Sequence, residues 1–484
     1  MSWILLGQIL YSILVILVSL RVLYDTRSST KALAYILFIV FVPFAGMIFY
    51  FSFGINYRKR KLYSKKIFED EPVRAKVRRQ MNLYSKAVSD SGLLPDQYQN
   101  LAEFIKNVGN SPLTAGNKVE LLINGEEKFP ELLKALENAQ SHIHLEYYIY
   151  EDDITGNQIA AVLMKKAREG VEVRFLYDDF GSHGLGKEFL AKLKAAGVET
   201  APFYKIIWYA LANRLNYRNH RKIIIIDGNV GFVGGINMSD KYRNDLQSNN
   251  GLFWRDTHLM ITGVATSYLQ YLFFCDWNFC STSKLDYNKN YFPDQIQTDT
   301  IENDVVQIAA SGPDSPQPVI FYSLLKAITS AKHSIYITSP YFIPGESLMD
   351  VLIIAIQSGI DVKIIIPGQS DSRMVNAAAS AYYTELLQYG AKIYKYNKGF
   401  VHAKTMVIDD KLAIVGSANM DYRSFDLNFE VNAMVYSAAI ARKLTDVFYD
   451  DLNESEIIDA ETWLARPKYV RLWQRAVRLL SPFL

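Results

Sequence analysis

The chain has 484 residues, 50% hydrophobic and 13% aromatic, which is enough apolar material for large cores in roughly two to four domain-sized pieces. Its formal net charge of +2 gives no global reason to bind nucleic acid, so any attraction for an anion must be local. Its two cysteines, Cys275 and Cys280, stand in an apolar aromatic stretch with spacing that fits neither a redox pair nor a zinc set. Buried thiols in a reducing compartment is the simplest account of them.

The N-terminus is unlike the rest. Ser2 to Leu20 carries no charge, and neither does Ala32 to Phe53; each run is long enough to cross a hydrocarbon core of about 30 Å. The first basic residue is Arg21, beyond the first run, and a second run follows, so the pattern is that of anchors and not of a cleaved signal. Two transmembrane helices, about 2–20 and 32–53, are therefore expected within a 1–56 anchor. The flank Arg58-Lys59-Arg60-Lys61, with Lys65 and Lys66, outweighs the loop's Arg21, Arg27 and Lys31. The positive-inside rule then makes this side cytoplasmic, and each basic residue near anionic headgroups contributes roughly 1 kcal/mol.

Residues 57–116 read as a basic, helical connector without a motif, with helical spacing over 73–88 and 98–108. From Lys118 strands and helices alternate, and the alternation occurs twice. Strand His142 to Ile149, helix Ile159 to Arg168 and strand Val171 to Tyr177 in the first half answer strand Ser334 to Tyr341, helix Leu348 to Ser358 and strand Ile360 to Ile366 in the second. Glu169-Gly170-Val171 and Ser358-Gly359-Ile360 are matching helix-to-strand junctions. Such alternation predicts an α/β fold with a parallel-rich, helix-covered sheet in each half. The halves fall at 117–285 and 303–465, with a polar linker at 286–302 and a basic amphipathic helix at 466–484. That helix would either dock on the membrane surface or pack on the second half, and the surface role is the favoured one.

The chemistry sits in a duplicated stretch. His220, Lys222, Asp227 and Asn237 recur as His402, Lys404, Asp409 and Asn419 in identical register. Three fixed partners should follow a random His roughly once in several thousand cases, so two copies are not a product of composition. His-x-Lys sets both side chains on one face of an extended segment, ahead of buried strands Ile223 to Ile226 and Met406 to Ile408. Asp227-Gly228 and Asp409-Asp410-Lys411 read as tight turns, and Gly234-Gly235 and Gly416-Ser417 leave backbone room beside a ligand. One His, one Lys and one Asn per copy is a phosphate-handling set. Two copies face to face would surround a single phosphorus.

His-x-Lys-x4-Asp with its Gly-rich turn and Asn resembles the signature of the phospholipase D superfamily. The stretches Asn216 to Ile223, Trp254 to His258, Ser339 to Pro344, Asn419 to Phe425 and Pro43 to Gly46 narrow the likeness to bacterial cardiolipin synthases over essentially the whole chain. The resemblance implies two similar α-β-α sandwich halves forming one pseudo-dimeric catalytic unit behind two transmembrane helices. It implies a multi-pass protein of the bacterial cell membrane that needs no metal or cofactor, binds no nucleic acid, and works on phosphatidylglycerol among anionic lipids. Two phosphatidylglycerols would give cardiolipin and glycerol, with a phosphatidyl-histidine on His220 and with His402 as acid and then base. A hydrolytic phospholipase D is the alternative within the same chemistry.

By that resemblance His220, Lys222, Asp227, His402, Lys404 and Asp409 form the catalytic set, with the two aspartates in turn-forming and pocket-shaping parts. Asn237, Asn419 and Ser417 would touch the phosphate; Ser417 replaces the first copy's Gly235 and brings a hydroxyl. Asp256 and Glu430 stand where an acid downstream of each motif would hold that motif's own His. His142, His144, His183, His258 and His333 lack such company and read as structural.

Overall fold

The computed structural model describes residues 3–26, 29–51, 85, 88, 92–203, 217–246, 252–286, 288–293, 304–370 and 372–481. The basic run Arg58 to Lys61 with Lys65 and Lys66, nearly all of the helical spacing over 73–88, and most of the linker lie outside these residues.

Trp3–Asp25 is one helix, and its Leu5–Asp25 part, of mean hydropathy 2.1, is long and apolar enough to cross a membrane. The second run departs from the expected single span. Helix Ser29–Phe41 stops at Val42, because a residue that precedes a proline is disfavoured in helical geometry. Val42 takes φ −134° and ψ 68°, and helix Pro43–Phe49 then doubles back. The Tyr35 and Tyr50 rings come within 5.4 Å, where a straight helix would hold these residues about 20 Å apart. Gly46 permits the return, since a Cβ there would lie 2.6 Å from the Phe38 carbonyl oxygen. Among the described residues, one helix meets the requirement for crossing a membrane, not two.

Strands are numbered in chain order. The first half contains β1 (Thr114–Ile123), β2 (His142–Tyr147), β3 (Glu172–Asp178), β4 (Glu199–Phe203), β5 (Lys222–Ile226), β6 (Val230–Gly234), β7 (Phe253–Arg255) and β8 (Thr257–Thr262). The second contains β9 (Asp304–Ser311), β10 (Ser334–Thr338), β11 (Phe342–Ile343), β12 (Asp361–Pro367), β13 (Lys392–Tyr396), β14 (Gly399–Val401), β15 (Thr405–Ile408), β16 (Leu412–Gly416), β17 (Met420–Asp421), β18 (Glu430–Tyr436) and β19 (Ser455–Ile457).

Among the described residues the expected pair of sheets is a single 15-stranded sheet in the order β19-β13-β12-β10-β15-β16-β18-β9-β1-β8-β6-β5-β2-β3-β4. Outward from the central β9–β1 contact the two sides match: β18 with β8, β16 with β6, β15 with β5, β10 with β2, β12 with β3, and β13 with β4. The antiparallel β1–β9 pairing fuses the halves edge to edge, so neither half leaves that edge open. The sheet is also less parallel than expected. Among its described strands β2-β3-β4 and β10-β12-β13 run parallel, joined by helical crossovers, while the motif strands β5-β6 and β15-β16 are antiparallel hairpins.

Helices cover both faces. Thr266–Cys280 and Ala438–Asn453 share one core that runs through both halves. The opposite face is covered in the first half by Asn124–Glu137, Ile154–Arg168 and Lys187–Ala195, and in the second by Val319–Thr329, Glu346–Gln357 and Arg373–Gln388. Burial on both faces explains why β5 reads Lys-Ile-Ile-Ile-Ile without alternation. The connector helix Gln99–Gly109 belongs to the second half's core, and Tyr98 donates to the Ile408 carbonyl at 3.1 Å. The C-terminal helix Lys468–Arg478 buries Gln474 and Val477 and ties Arg478 to Glu385 at 2.9 Å. Its other side exposes Tyr469, Leu472 and Trp473.

Candidate active site

The motif aspartates do not reach the site. Asp227 has φ 52° and Asp409 φ 54°, left-handed values that Asp tolerates better than most residues. Each turn closes with an i to i+3 bond, Asn229 N–H to Ile226 O at 3.1 Å and Lys411 N–H to Ile408 O at 3.0 Å. Two consecutive left-handed residues inside such a bond make a type I′ turn, whose twist suits a hairpin. The Asp227 carboxylate accepts from the backbone N–H groups of Gln140, Ser141 and His142; that of Asp409 accepts from Lys332, His333 and Ser334. Each therefore pins the start of a neighbouring strand, β2 or β10, at the end of the hairpin away from the histidines. Both sit in turns, and neither lines the cleft.

The other end of each hairpin carries the chemistry. The strands proper begin at Lys222 and Thr405, so each His lies in the extended segment just before its strand. These segments pair with the opposite half. Asn219 bridges to Phe429, with His220 N–H donating to the Phe429 carbonyl at 2.9 Å; β14 runs parallel to β7, with His402 N–H donating to the Arg255 carbonyl at 2.7 Å. His220 and His402 thereby line one cleft of about 360 Å³, together with Asn237, Asn419, Tyr148 and Trp254. That volume lies near the lower end of the range for ligand sites, about 300–1,000 Å³, and suits headgroups better than acyl chains.

The cross-half pairing reverses the expected partners of the histidines. His220 Nδ1 lies 3.0 Å from Glu430 Oε1, and His402 Nδ1 lies 2.7 Å from Asp256 Oδ2. Each imidazole is thus held by the acid of the other half, because that acid follows the strand segment paired with the His-bearing stretch. With Nδ1–H donating to a carboxylate, Nε2 remains for chemistry. Burial pushes both imidazoles below their ordinary value, against the pull of the acids; with Lys404 also opposing the cationic form, His402 falls to about 3. Burial raises both acids, but the cations around them prevail, and Glu430 and Asp256 end below the usual carboxylate range.

Lys222 and Lys404 are buried beneath the histidines. Lys222 Nζ donates to the His220 carbonyl at 2.7 Å, and Lys404 Nζ donates to that of His402 and lies 2.8 Å from its Nδ1. Burial pushes Lys222 down to about 7, so its charge is sensitive to any anion entering above it. Asn237 is held by Tyr242 at 2.6 Å, and Asn419 Oδ1 has no hydrogen-bond partner among the described residues. Ser417 differs from its expected part. It is fully buried, donates to Glu430 Oε2 at 2.5 Å and accepts from Val431 N–H at 2.9 Å, so it braces the acid and does not face the cleft. Gly235, its counterpart, is needed for the opposite reason: a Cβ there would collide with the Asp256 carboxylate.

Two aromatic residues without a motif signal also shape the cleft: Tyr148, whose ring stands edge-on to His220 at 4.7 Å, and Phe400, whose ring lies 4.9 Å from that of Trp254. Arg218 and Arg423 also line the cleft and carried no role in the motif reading. His142, His144, His183, His258 and His333 lie outside it.

The family model described as "Cardiolipin synthase, PLD-like domain" matches residues 132–271 and 324–452, and the "Phospholipase D-nuclease N-terminal" model matches 13–54. The chain is 41% identical over 480 residues to the cardiolipin synthase of Alkalihalophilus pseudofirmus, covering 99% of this chain and 93% of that one. It is 40% identical over 478 residues to the major cardiolipin synthase of Bacillus subtilis, covering 98% of each. Among solved structures, a phosphatidylserine synthase of Haemophilus influenzae has the same fold, with a TM-score of 0.59 at 14% identity over 80% of this chain and 100% of that one. The chain belongs to the cardiolipin synthase family with PLD-like domains.

Proposed function

We propose that this protein is a cardiolipin synthase that passes a phosphatidyl group from one phosphatidylglycerol to another through a histidine. His220 Nε2 attacks the donor phosphorus, forming a P–N bond as the P–O bond to the headgroup glycerol breaks. The departing oxygen takes the proton of His402 Nε2 and leaves as glycerol. His402 then removes a proton from a hydroxyl of the second phosphatidylglycerol, whose oxygen forms the new P–O bond as the P–N bond breaks. The products are cardiolipin and glycerol, and both histidines return to their starting state. The free enzyme holds His402 neutral, and the negative charge of a bound phosphodiester favours its protonation when the acid is needed. Lys222 and Lys404 meet the charge that builds on phosphorus in the transition state, and Asn237 and Asn419 orient the phosphate.

The observation that carries this reading is the crossed pair of imidazole–carboxylate contacts in one cleft, which readies two Nε2 atoms for one phosphorus. Product analysis with purified enzyme in phosphatidylglycerol vesicles tests it: cardiolipin and glycerol are expected in equal amounts. Phosphatidate as the main product would mean that water takes the second step, and the hydrolytic reading would replace this one. Because two lysines supply positive charge at the phosphorus, the same yield is expected after exhaustive chelation. Loss of activity restored by one divalent ion alone, with vesicle packing controlled, would contradict that.

For membrane placement, the reading is a protein anchored by Leu5–Asp25 and the doubled-back segment that follows, with both catalytic halves on the cytoplasmic side. The apolar helix and the basic flank at 58–61 support it. Exposed Tyr469, Leu472 and Trp473, with Arg471 and Arg475 on the same helix, suit contact with that anionic leaflet. Protease added to sealed right-side-out vesicles should leave both halves intact and should digest them in inverted vesicles; the reverse pattern would overturn the orientation.

A further inference from the structure

We propose that Arg218 and Arg423 form a second phosphate subsite in the cleft, which takes the phosphodiester of the acceptor lipid. This rests on the synthase reading above and adds what distinguishes a lipid acceptor from water or glycerol.

The first observation is a buried cation. Arg218 is 3% exposed, lines the cleft, and has none of its three guanidinium nitrogens hydrogen-bonded among the described residues. Its guanidinium lies over the Phe180 ring at 4.3 Å. Asp178 is near enough to favour the charge, but its carboxylate accepts from the backbone N–H groups of Phe180, Gly181 and Asn219. A guanidinium buried without a hydrogen-bond acceptor is costly, so among the described residues five donors stand ready for an incoming anion. Arg423 lines the same cleft and is close enough to act against the charge of Arg218. Both also act on the Tyr148 hydroxyl, beside His220. Two guanidiniums facing one space suit a phosphate, which accepts from both.

The second observation is a broken symmetry. His, Lys and Asn occur once per half, so the phosphorus between the histidines is met equally from both sides. Arg218 precedes His220 by two residues; the residue two before His402 is Phe400. Asn428 precedes Glu430 by two, and its counterpart before Asp256 is Trp254. One flank of the cleft therefore carries Arg218, Arg423 and Asn428, while the other has the Phe400–Trp254 aromatic wall in place of Arg218 and Asn428, and in place of Arg423 a lysine, Lys241, whose charge Glu151 answers at 3.5 Å. A group present on one flank only does not belong to the shared phosphate cage. It serves something brought by one lipid of the pair. In the second step that is the acceptor's own phosphodiester, which stays intact while its glycerol hydroxyl attacks.

The test compares two acceptors on one enzyme. Full-length protein in phosphatidylglycerol vesicles is given labelled glycerol, and two rates are measured: cardiolipin formation, and label entering phosphatidylglycerol. In the exchange, a glycerol hydroxyl gives its proton to His402 and takes the phosphatidyl group from the histidine, so no second phosphate is needed. Arg218→Gln and Arg423→Gln are each expected to lower the ratio of cardiolipin formation to exchange by about tenfold or more, the loss typical of a charge-assisted hydrogen bond. An unchanged ratio in variants with wild-type melting temperature overturns the proposal, since the arginines would then serve the reacting phosphate or neither. If Arg218→Gln fails to fold, the ratio in Arg423→Gln decides, because Arg423 is only half-buried. Wild-type protein that forms no cardiolipin overturns the synthase reading itself, and this proposal with it.

Discussion

Replacing either His220 or His402 with alanine is expected to abolish cardiolipin formation, a loss of about 10⁴-fold or more for a group that makes or breaks bonds in the reaction. The histidines occupy one cleft, each completed by an acid from the other half, so neither half holds a whole site. Two independent sites would leave roughly half the activity in each single variant, as simple counting of equal sites requires. Rates on phosphatidylglycerol vesicles decide the matter, and half activity in either variant would sink the composite site.

The acids come next in size. Glu430→Gln and Asp256→Asn keep shape but remove the charge that orients and supports each imidazole, and each is expected to lower kcat by about 10²–10⁴-fold. Imidazole titration tells which acid serves which His. Burial holds His220 below its ordinary 6.5, so its imidazole titrates below pH 6.5. The Glu430 carboxylate raises that value; removing it lowers the pKa further and moves the titration to lower pH. Asp256→Asn acts on His402 and should leave the His220 titration in place. Imidazole titrations followed by nuclear magnetic resonance separate the two. Glu430→Gln shifting His402 in place of His220 would return each acid to its own half.

What could be read from the sequence is what is local. His-x-Lys, the apolar strand, the turn-forming Asp and the second strand are a hairpin written in consecutive residues, and its duplication shows two halves. Asp227 and Asp409 were legible as turn residues because left-handed geometry and Asp go together. The crossed acids were not legible, because the pairing of β7 with β14 joins residues far apart in the chain and leaves no periodic trace. The β1–β9 contact that makes one sheet of two is equally non-local. Ser417 reads as a phosphate donor from its place beside a Gly-rich turn; only its burial against Glu430 shows the hydroxyl committed elsewhere. In the second apolar run, composition argues for one span, yet Pro43 is visible and its effect on Val42 is a local rule that outweighs hydropathy. Arg218 stands inside the motif stretch, but a guanidinium without hydrogen bonds among the described residues can be recognised only once its surroundings are known.

The most direct test of the composite site uses a donor whose leaving group needs no acid, a phosphatidyl ester of p-nitrophenol. His402→Ala should release a burst of about one nitrophenolate per enzyme and stall, because no base activates the acceptor, while His220→Ala should release none. Acid quench and digestion of the stalled enzyme should then place phosphorus on the peptide carrying His220. Phosphorus on the His402 peptide would reverse the two roles, and phosphorus on neither would contradict the covalent relay through paired histidines.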